Sequence, residues 1–424
     1  MHALFWVALA IFFISYVIIV SEKIHRTVIA LSGALLMILL GVLTQEEALH
    51  GVDFNTLGLL VGMMVIIGIS KECGMFQYVA IRAAKIAKGN PIWIFSLLGI
   101  ITAVFSAFLD NVTTVFLMVP ITFVVCNNLK IPPLPFLVGE ILLSNIGGTA
   151  TLIGDPPNIL IGSAAKLTFN DFLLNLGPIA LVIMVVTLGM LLLVYRKQLV
   201  TTPEARTAIM AFNPKDAITD RPLLYKSLLV LGIVLFGFFT HQITHIEAAT
   251  IALAGAALLL LLTMNDPEEH FRDVEWMTIF FFIGLFVLVA GIEHVGFISL
   301  LAEKLISITG GHLAATGILI LWLSAIASAI VDNIPFVATM IPLIQDIGTL
   351  SGLPLVPLWW ALALGADIGG NATIIGASAN VVVKGMAEKA GHNIGFVSYM
   401  KIALPMTFVA LLISTVYVYV RYLT

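Results

Sequence analysis

Ser106-Ala107-Phe108-Leu109-Asp110-Asn111 returns 222 positions later as Ser328-Ala329-Ile330-Val331-Asp332-Asn333. Gly147-Gly148-Thr149-Ala150-Thr151-Leu152-Ile153-Gly154 returns at the same offset as Gly369-Gly370-Asn371-Ala372-Thr373-Ile374-Ile375-Gly376. Working outward, that offset also pairs Ala30 with Ala252, Gly33 with Gly255, Gly62 with Gly284, Gly74 with Gly296, Pro120 with Pro342, Pro135 with Pro357 and Asn158 with Asn380. Residues 25–158 thus recur without insertion or deletion, a register that chance would not hold through so many landmarks. In a membrane protein, such a duplication points to a transporter built from structural repeats, with its site where the repeats meet.

The composition places the chain in a membrane. Of 424 residues, 60% are hydrophobic and 10% charged, with a mean hydropathy of +1.10; soluble domains carry about 25% charged residues. Stretches such as 4–20, 178–195 and 405–420 approach or reach the roughly 20 apolar residues that a spanning helix needs. No basic block suggests nucleic acid, and Cys73 and Cys126 are too few for a disulfide scaffold or a thiolate metal site. Nothing at the N-terminus resembles a cleaved leader, so the first helix is expected to stay attached.

The expected fold is all-α and polytopic, with two inverted-topology repeats. Each has about five spanning helices, one of them broken, plus one re-entrant helical hairpin. Residues 1–200 form the first repeat, with a hairpin at 91–127 and a broken helix at 134–165. Residues 201–222 form a cytoplasmic linker. Residues 223–424 form the second repeat, with a hairpin at 313–349 and a broken helix at 356–387. Segments 72–88 and 294–310 read as interfacial amphipathic helices. Five spans is an odd number, so the second copy enters the membrane upside down. With both termini on the non-cytoplasmic side, all of the 20 Lys and Arg except Lys166, Lys304 and Arg421 face the cytoplasm, as the positive-inside rule requires.

Charges inside apolar runs cost about 2.5–3.5 kcal/mol each on insertion scales and need a reason. Asp110-Asn111 and Asp332-Asn333 lie mid-run, where each pair suits a hairpin turn and the N-cap of the returning half-helix. Pro335 suits the first turn of that half-helix. Gly147-Gly148 followed by Gly154-Asp155-Pro156-Pro157-Asn158 cannot be a continuous helix. Asp155 reads as the N-cap before Pro156, and Ser378 could cap the equivalent half-helix of the second repeat. Unwound backbone is tolerated in a membrane only when buried in protein or lining a cavity. Four half-helix ends would converge there, offering positive ends to anions and carbonyls to cations. Thr113, Thr149, Thr151, Asn371, Thr373 and Asn380 would complete the coordination. Glu140, opposite Leu362 in the repeat, and Asp367, opposite Asn145, break the symmetry and are candidates for coupling. His241, His245, His294 and His392 fall at ends or loops and read as solvated.

These motifs together resemble the ArsB/NhaD permeases of the ion transporter superfamily, within it the branch containing the melanosomal P protein. The resemblance implies helical hairpins and broken helices forming a transport domain that moves against a scaffold, often in a dimer, in a prokaryotic plasma membrane. It implies a site at Asp110, Asn111, Thr113, Gly148, Thr151, Asp332, Asn333, Gly370, Thr373 and Asn380, to which the reading of the helix breaks adds Thr149, Asp155, Asn158 and Asn371. The activity expected first is proton-coupled efflux of arsenite or antimonite. Sodium–proton antiport comes second, and anion or organic-acid transport or a channel third. No resident cofactor is expected beyond a coupling Na⁺ or H⁺. No ATP-binding motif is present, and nothing supports an arsenical ATPase partner. An intramembrane aspartyl protease is disfavoured, because both aspartates lie in the same repeated hairpin motif.

The inverted topology has a direct test. Cysteines placed at Glu46 and at its repeat partner Glu268 are expected to react with an impermeant maleimide from opposite sides of the membrane. Labelling from the same side would overturn the inversion.

Overall fold

The computed structural model describes residues 2–21, 23–264 and 266–423. Among them no strand forms. An apolar chain that meets lipid must satisfy its backbone hydrogen bonds within each segment, and the helix does this.

The first half contains α1 (His2–Ser21), α2 (Arg26–Leu39), α3 (Gln45–His50), α4 (Phe54–Lys71) and α5 (Met75–Ile86). A hairpin follows, α6 (Pro91–Phe108) and α7 (Asn111–Leu129), then a broken helix, α8 (Leu134–Gly148) and α9 (Pro156–Ala165). α10 (Phe169–Asn175), α11 (Gly177–Tyr195) and α12 (Pro203–Ala211) lead to the second half. There the order returns as α13 (Arg221–Thr244), α14 (Ala248–Thr263), α15 (Pro267–Phe271), α16 (Trp276–His294) and α17 (Phe297–Thr309). The second hairpin is α18 (Leu313–Ile330) and α19 (Asn333–Ser351). The second broken helix is α20 (Val356–Gly369) and α21 (Ser378–Lys389), and α22 (Phe396–Val418) closes the chain. The fold is the expected one: all-α, with two repeats of inverted topology.

Local chemistry sets the breaks. The Asp110 carboxylate accepts the Thr113 N–H at 2.8 Å and caps α7, and Asp332 accepts the Ile334 N–H at 3.1 Å and caps α19. α9 restarts on Pro156, whose missing N–H is harmless at a first helical position. In the second repeat a single tight turn, Gly370–Ala372, separates α20 from the irregular stretch before α21. Gly74 and Gly296 take φ of +79° and +81°, a left-handed turn that glycine allows cheaply. Each sends the chain from a long helix (α4, α16) into the next short one (α5, α17).

Helices of the two repeats exchange partners to make a frame: α2 packs on α16 and α14 on α4. The contact is backbone-close. A methyl on Gly62 would come within 2.6 Å of the Ala252 carbonyl carbon, and one on Gly284 within 2.5 Å of that of Ala30. The two contacts are related by the 222-residue offset. Without a hydrophobic force between helices in lipid, small residues that admit close packing supply the attraction. The second body is a bundle of the hairpins and broken helices, flanked by α11 and α22. At its centre α8 and α20 are buried along nearly their whole length, from Pro135 to Gly148 and from Pro357 to Gly369.

Among the described residues, ten helices are long and apolar enough to cross a membrane by length and composition. Four of these are hairpin arms of 18 or 19 residues. What distinguishes the arms is that both hairpin tips meet inside the protein.

The frame contact predicts an asymmetry between two glycine substitutions. Gly62→Val should cost about 1–3 kcal/mol by overpacking, seen as an earlier thermal unfolding transition in detergent. Gly232→Val, which enters open space on α13, should leave the transition in place. Equal transitions would mean that the close approach does not hold the frame.

Candidate transport site

The two hairpin tips meet on one carboxylate. Asn111 Nδ2 donates to Asp155 Oδ2 at 2.8 Å, and Asn333 Nδ2 donates to Asp155 Oδ1 at 3.4 Å. Asn111 Nδ2 also donates to Asn145 Oδ1 at 3.0 Å. Asn145 in turn donates to Asn371 Oδ1 at 2.8 Å and to Asn380 Oδ1 at 2.9 Å. One chain of side-chain amides therefore ties both hairpins to both broken helices. Asp155 is 1% exposed. The sequence suggested it as the cap of α9, but its side chain makes no capping bond. Both oxygens are taken by the hairpin amides instead.

Three more carboxylates, Asp367, Asp332 and Asp110, lie close enough to Asp155 to act on its charge. The cation bonded to this cluster comes from the frame. Arg26 Nη1 donates to Asp332 Oδ2 at 2.8 Å and to Ser378 Oγ at 2.9 Å, with the guanidinium 4.9 Å from the centroid of the Phe281 ring. Ser378 Oγ donates to Asp332 Oδ2 at 2.6 Å. The expected capping role of Ser378 is thus corrected: Ala377 is the cap residue, and the Ser378 hydroxyl serves Asp332.

A cavity of about 110 Å³ sits at this junction of frame and bundle, lined by Arg26, Asp110, Asn111, Asp155, Glu275 and Asn333 among others. It has room for several waters or one small solute. Two larger crevices flank the interface. One of about 290 Å³ has Ile19, His25, Arg26 and Val381 in its wall, and one of about 350 Å³ has His241, Glu247, Ala248 and Ile159. Those four pairs are repeat equivalents, so the crevices occupy corresponding places in the two halves. Arg26 and Ser378 line both the first crevice and the central cavity.

The repeated polar residues are occupied in building the breaks. The Thr151 hydroxyl donates to the Ala107 carbonyl, and that of Thr373 to the Ala329 carbonyl at 2.6 Å. Asn158 Nδ2 donates to the Thr151 carbonyl at 3.0 Å, and Asn380 Nδ2 to the Gly370 and Thr373 carbonyls at 2.8 and 2.9 Å. The Thr149 hydroxyl donates to the Asn145 carbonyl at 2.9 Å. Gly148 and Gly370 leave room for the carbonyls of Gly154 and Gly376. Thr113 contributes its backbone N–H to the Asp110 cap.

Glu140 lies apart, between α7 and α8, where one oxygen accepts from the Thr122 hydroxyl and the other has no partner. Asp367 is fully buried with no hydrogen bond to either oxygen, although Thr149 and Asn158 present polar atoms to it. Asn111 Oδ1 and Asn158 Oδ1 are likewise buried without donors. The site holds more acceptors than donors, a surplus that suits a hard cation or protons.

Sequence reasoning missed Arg26 and Asn145 as site residues. The signal was available in the repeat: Arg26 stands opposite Ala248, at a helix start beside an apolar run.

The model of the citrate transporter family, CitMHS, matches residues 16–365. The chain belongs to that family. It is 43% identical over 423 residues to an uncharacterised transporter of Mycobacterium tuberculosis, covering 98% of both chains. It is 34% identical over 491 positions to the human P protein, covering 96% of this chain and 59% of that one, so the likeness to the P protein read from the motifs holds. Within the ion transporter superfamily, the family model that matches is that of the citrate transporters. The crystal structure of the YdaH transporter of Alcanivorax borkumensis superposes with a TM-score of 0.60 at 17% identity, over 91% of this chain and 87% of that one, and so shares the fold. The protein is a multi-pass integral membrane secondary transporter and not an enzyme.

Two substitutions separate scaffolding from function. Asn380→Ala removes the amide that ties α21 to the break and should lower stability by about 1–3 kcal/mol. Asp155→Asn removes the buried charge but leaves one hairpin amide without an acceptor, and should shift the melting temperature by less than Asn380→Ala does. A strong loss of stability in Asp155→Asn would make that carboxylate structural.

Proposed function

We propose that this transporter is driven by protons in a bacterial plasma membrane and expels a small uncharged oxyacid, arsenous or antimonous acid being the first candidates. The supporting observation is the Asp155 carboxylate held between Asn111 and Asn333, with Asp110, Asp332 and Asp367 nearby and Arg26 already paired with Asp332. A proton on this cluster relieves repulsion. A neutral hydroxylated cargo can donate hydrogen bonds to its acceptors without adding negative charge.

Citrate, suggested by the family description, fits this cavity less well. Two like charges about 4 Å apart cost on the order of 4 kcal/mol at an effective dielectric constant of ~20, and a tricarboxylate would meet several such pairs. A second reading, sodium–proton antiport, is favoured by the buried oxygens of Asn111, Asn158 and Asp367 that lack donors; these are the ligands a hard cation takes.

Alternating access would follow from the two repeat-related crevices, the bundle sliding against the frame so that the central cavity opens to one and then the other. The Arg26–Asp332 pair, which joins frame to bundle, must part in that movement.

Proteoliposomes offered arsenite, antimonite, sodium or citrate, with and without a pH gradient, decide between these readings. Saturable metalloid uptake that collapses with the gradient and is abolished by Asp155→Asn is the expected result. Sodium-dependent dissipation of the gradient without metalloid movement would establish the antiporter. Citrate uptake of equal size in wild type and Asp155→Asn would overturn the assignment of the site.

A further inference from the structure

At one end of the frame, away from the transport cavity, three side chains from the two repeats converge: Glu72 just after α4, His270 in α15, and Asp273 just beyond it. One ligand atom from each lies within 4.8 Å of the other two. The turn closing α15, with the Asp273 N–H on the His270 carbonyl at 3.1 Å, brings both side chains to the end of α4. His270 is 1% exposed, and neither ring nitrogen has a hydrogen-bond partner. A buried imidazole with both nitrogens idle is costly. Its Nδ1 faces Glu72 Oε1 at 3.7 Å, too far for a hydrogen bond.

We infer that Glu72, His270 and Asp273 form a binding site for a divalent transition-metal ion of the zinc class. One imidazole and two carboxylates with an open side make a suitable ligand set. Zinc bonds of about 2.0–2.2 Å require the three ligand atoms to draw closer than they stand here. Glu72 and Asp273 have the freedom to do so, with side chains 40% and 31% exposed. Lys71 Nζ takes Asp273 Oδ1 at 2.7 Å and leaves Oδ2 available. Gly68 on α4 makes room for that carboxylate, since a Cβ there would stand 3.0 Å from Asp273 Cβ.

The other end of the frame supplies an internal control. There His294 at the end of α16 faces Glu47 of α3, again at 3.7 Å, but both are about half-exposed. Gly51 stands where the repeat places Asp273. That end has two ligands and an open surface, and this one has three ligands and a buried histidine. A metal here would fasten α4 of the first repeat to the α15 turn of the second.

The test uses the full-length protein in detergent, stripped with a chelator, titrated with ZnCl₂ and separated from free ion by gel filtration. Bound zinc is counted by mass spectrometry, and thermal unfolding is followed in parallel. The expected result is one retained zinc per chain and a raised unfolding temperature, with Glu72→Gln and Asp273→Asn each weakening binding by roughly tenfold or more and His294→Ala leaving it unchanged. His270→Ala risks misfolding because the ring is buried, so the two partly exposed acids carry the test. Wild-type protein that retains no zinc would overturn the site, leaving His270 as a partner for Glu72 alone. So would zinc held equally well by Glu72→Gln and Asp273→Asn, or zinc lost in Asp155→Asn, which would place the ion in the transport cavity.

Discussion

Everything around the candidate cavity is arranged about a buried carboxylate that both hairpins reach. Asp155 lies in the unwound stretch of the first broken helix, and the asparagines from two hairpin tips, 222 residues apart, end on its two oxygens. Burying a charge is costly unless it is paired and hydrogen-bonded, and here the bonds are neutral amides while the nearby charges are of the same sign. The cluster is therefore short of positive charge by construction. Arg26 offsets part of the deficit, but it belongs to the frame and not to the bundle. Protons or a small cation are the mobile species that can supply the rest.

The duplication divides the labour among residues. Those that repeat, such as Thr151 with Thr373, Asn158 with Asn380 and Ser106 with Ser328, bind backbone carbonyls and hold the helix breaks open in the same way in each half. The charge is only partly duplicated: Asp110 and Asp332 repeat, whereas Asp155 stands opposite Ala377, Asp367 opposite Asn145, and Arg26 opposite Ala248. A symmetric scaffold gives two equivalent crevices, which alternating access needs. An asymmetric cluster at their junction gives one candidate site in place of two copies of it.

This division also explains what could be read from the sequence. The hairpin turns, the helix breaks and the pairing of elements were legible because they rest on local signals: Asp caps, paired glycines, and Pro156 at a helix start. The cluster's membership was largely legible too, since polar residues in apolar runs are conspicuous. The partnerships were not. Asp155-Pro156 has the local form of a cap, and only tertiary approach of Asn111 and Asn333 draws that side chain away. Ser378 was misread for the same reason. Arg26 passed as one more basic residue at a helix start, because its importance comes from Asp332, 306 positions away. His270 gave no signal at all, since a histidine in a short polar helix reads as solvated until packing buries it.

On the proposed reading, the latch formed by Arg26, Ser378 and Asp332 bears on coupling. It is a charged link between frame and bundle at the first crevice, and Arg26 and Ser378 also wall the central cavity. Movement of the bundle would leave Asp332 without its cation, in surroundings where an unpaired charge is expensive. A proton delivered to the cluster removes that penalty, and an empty, fully charged cluster retains it. The energy of the pair thus acts as a condition on movement: a loaded bundle crosses more readily than an unloaded one. That inequality turns two symmetric crevices into a coupled transporter rather than a leak, and it arises at the one helix start where the second repeat has an alanine in place of arginine.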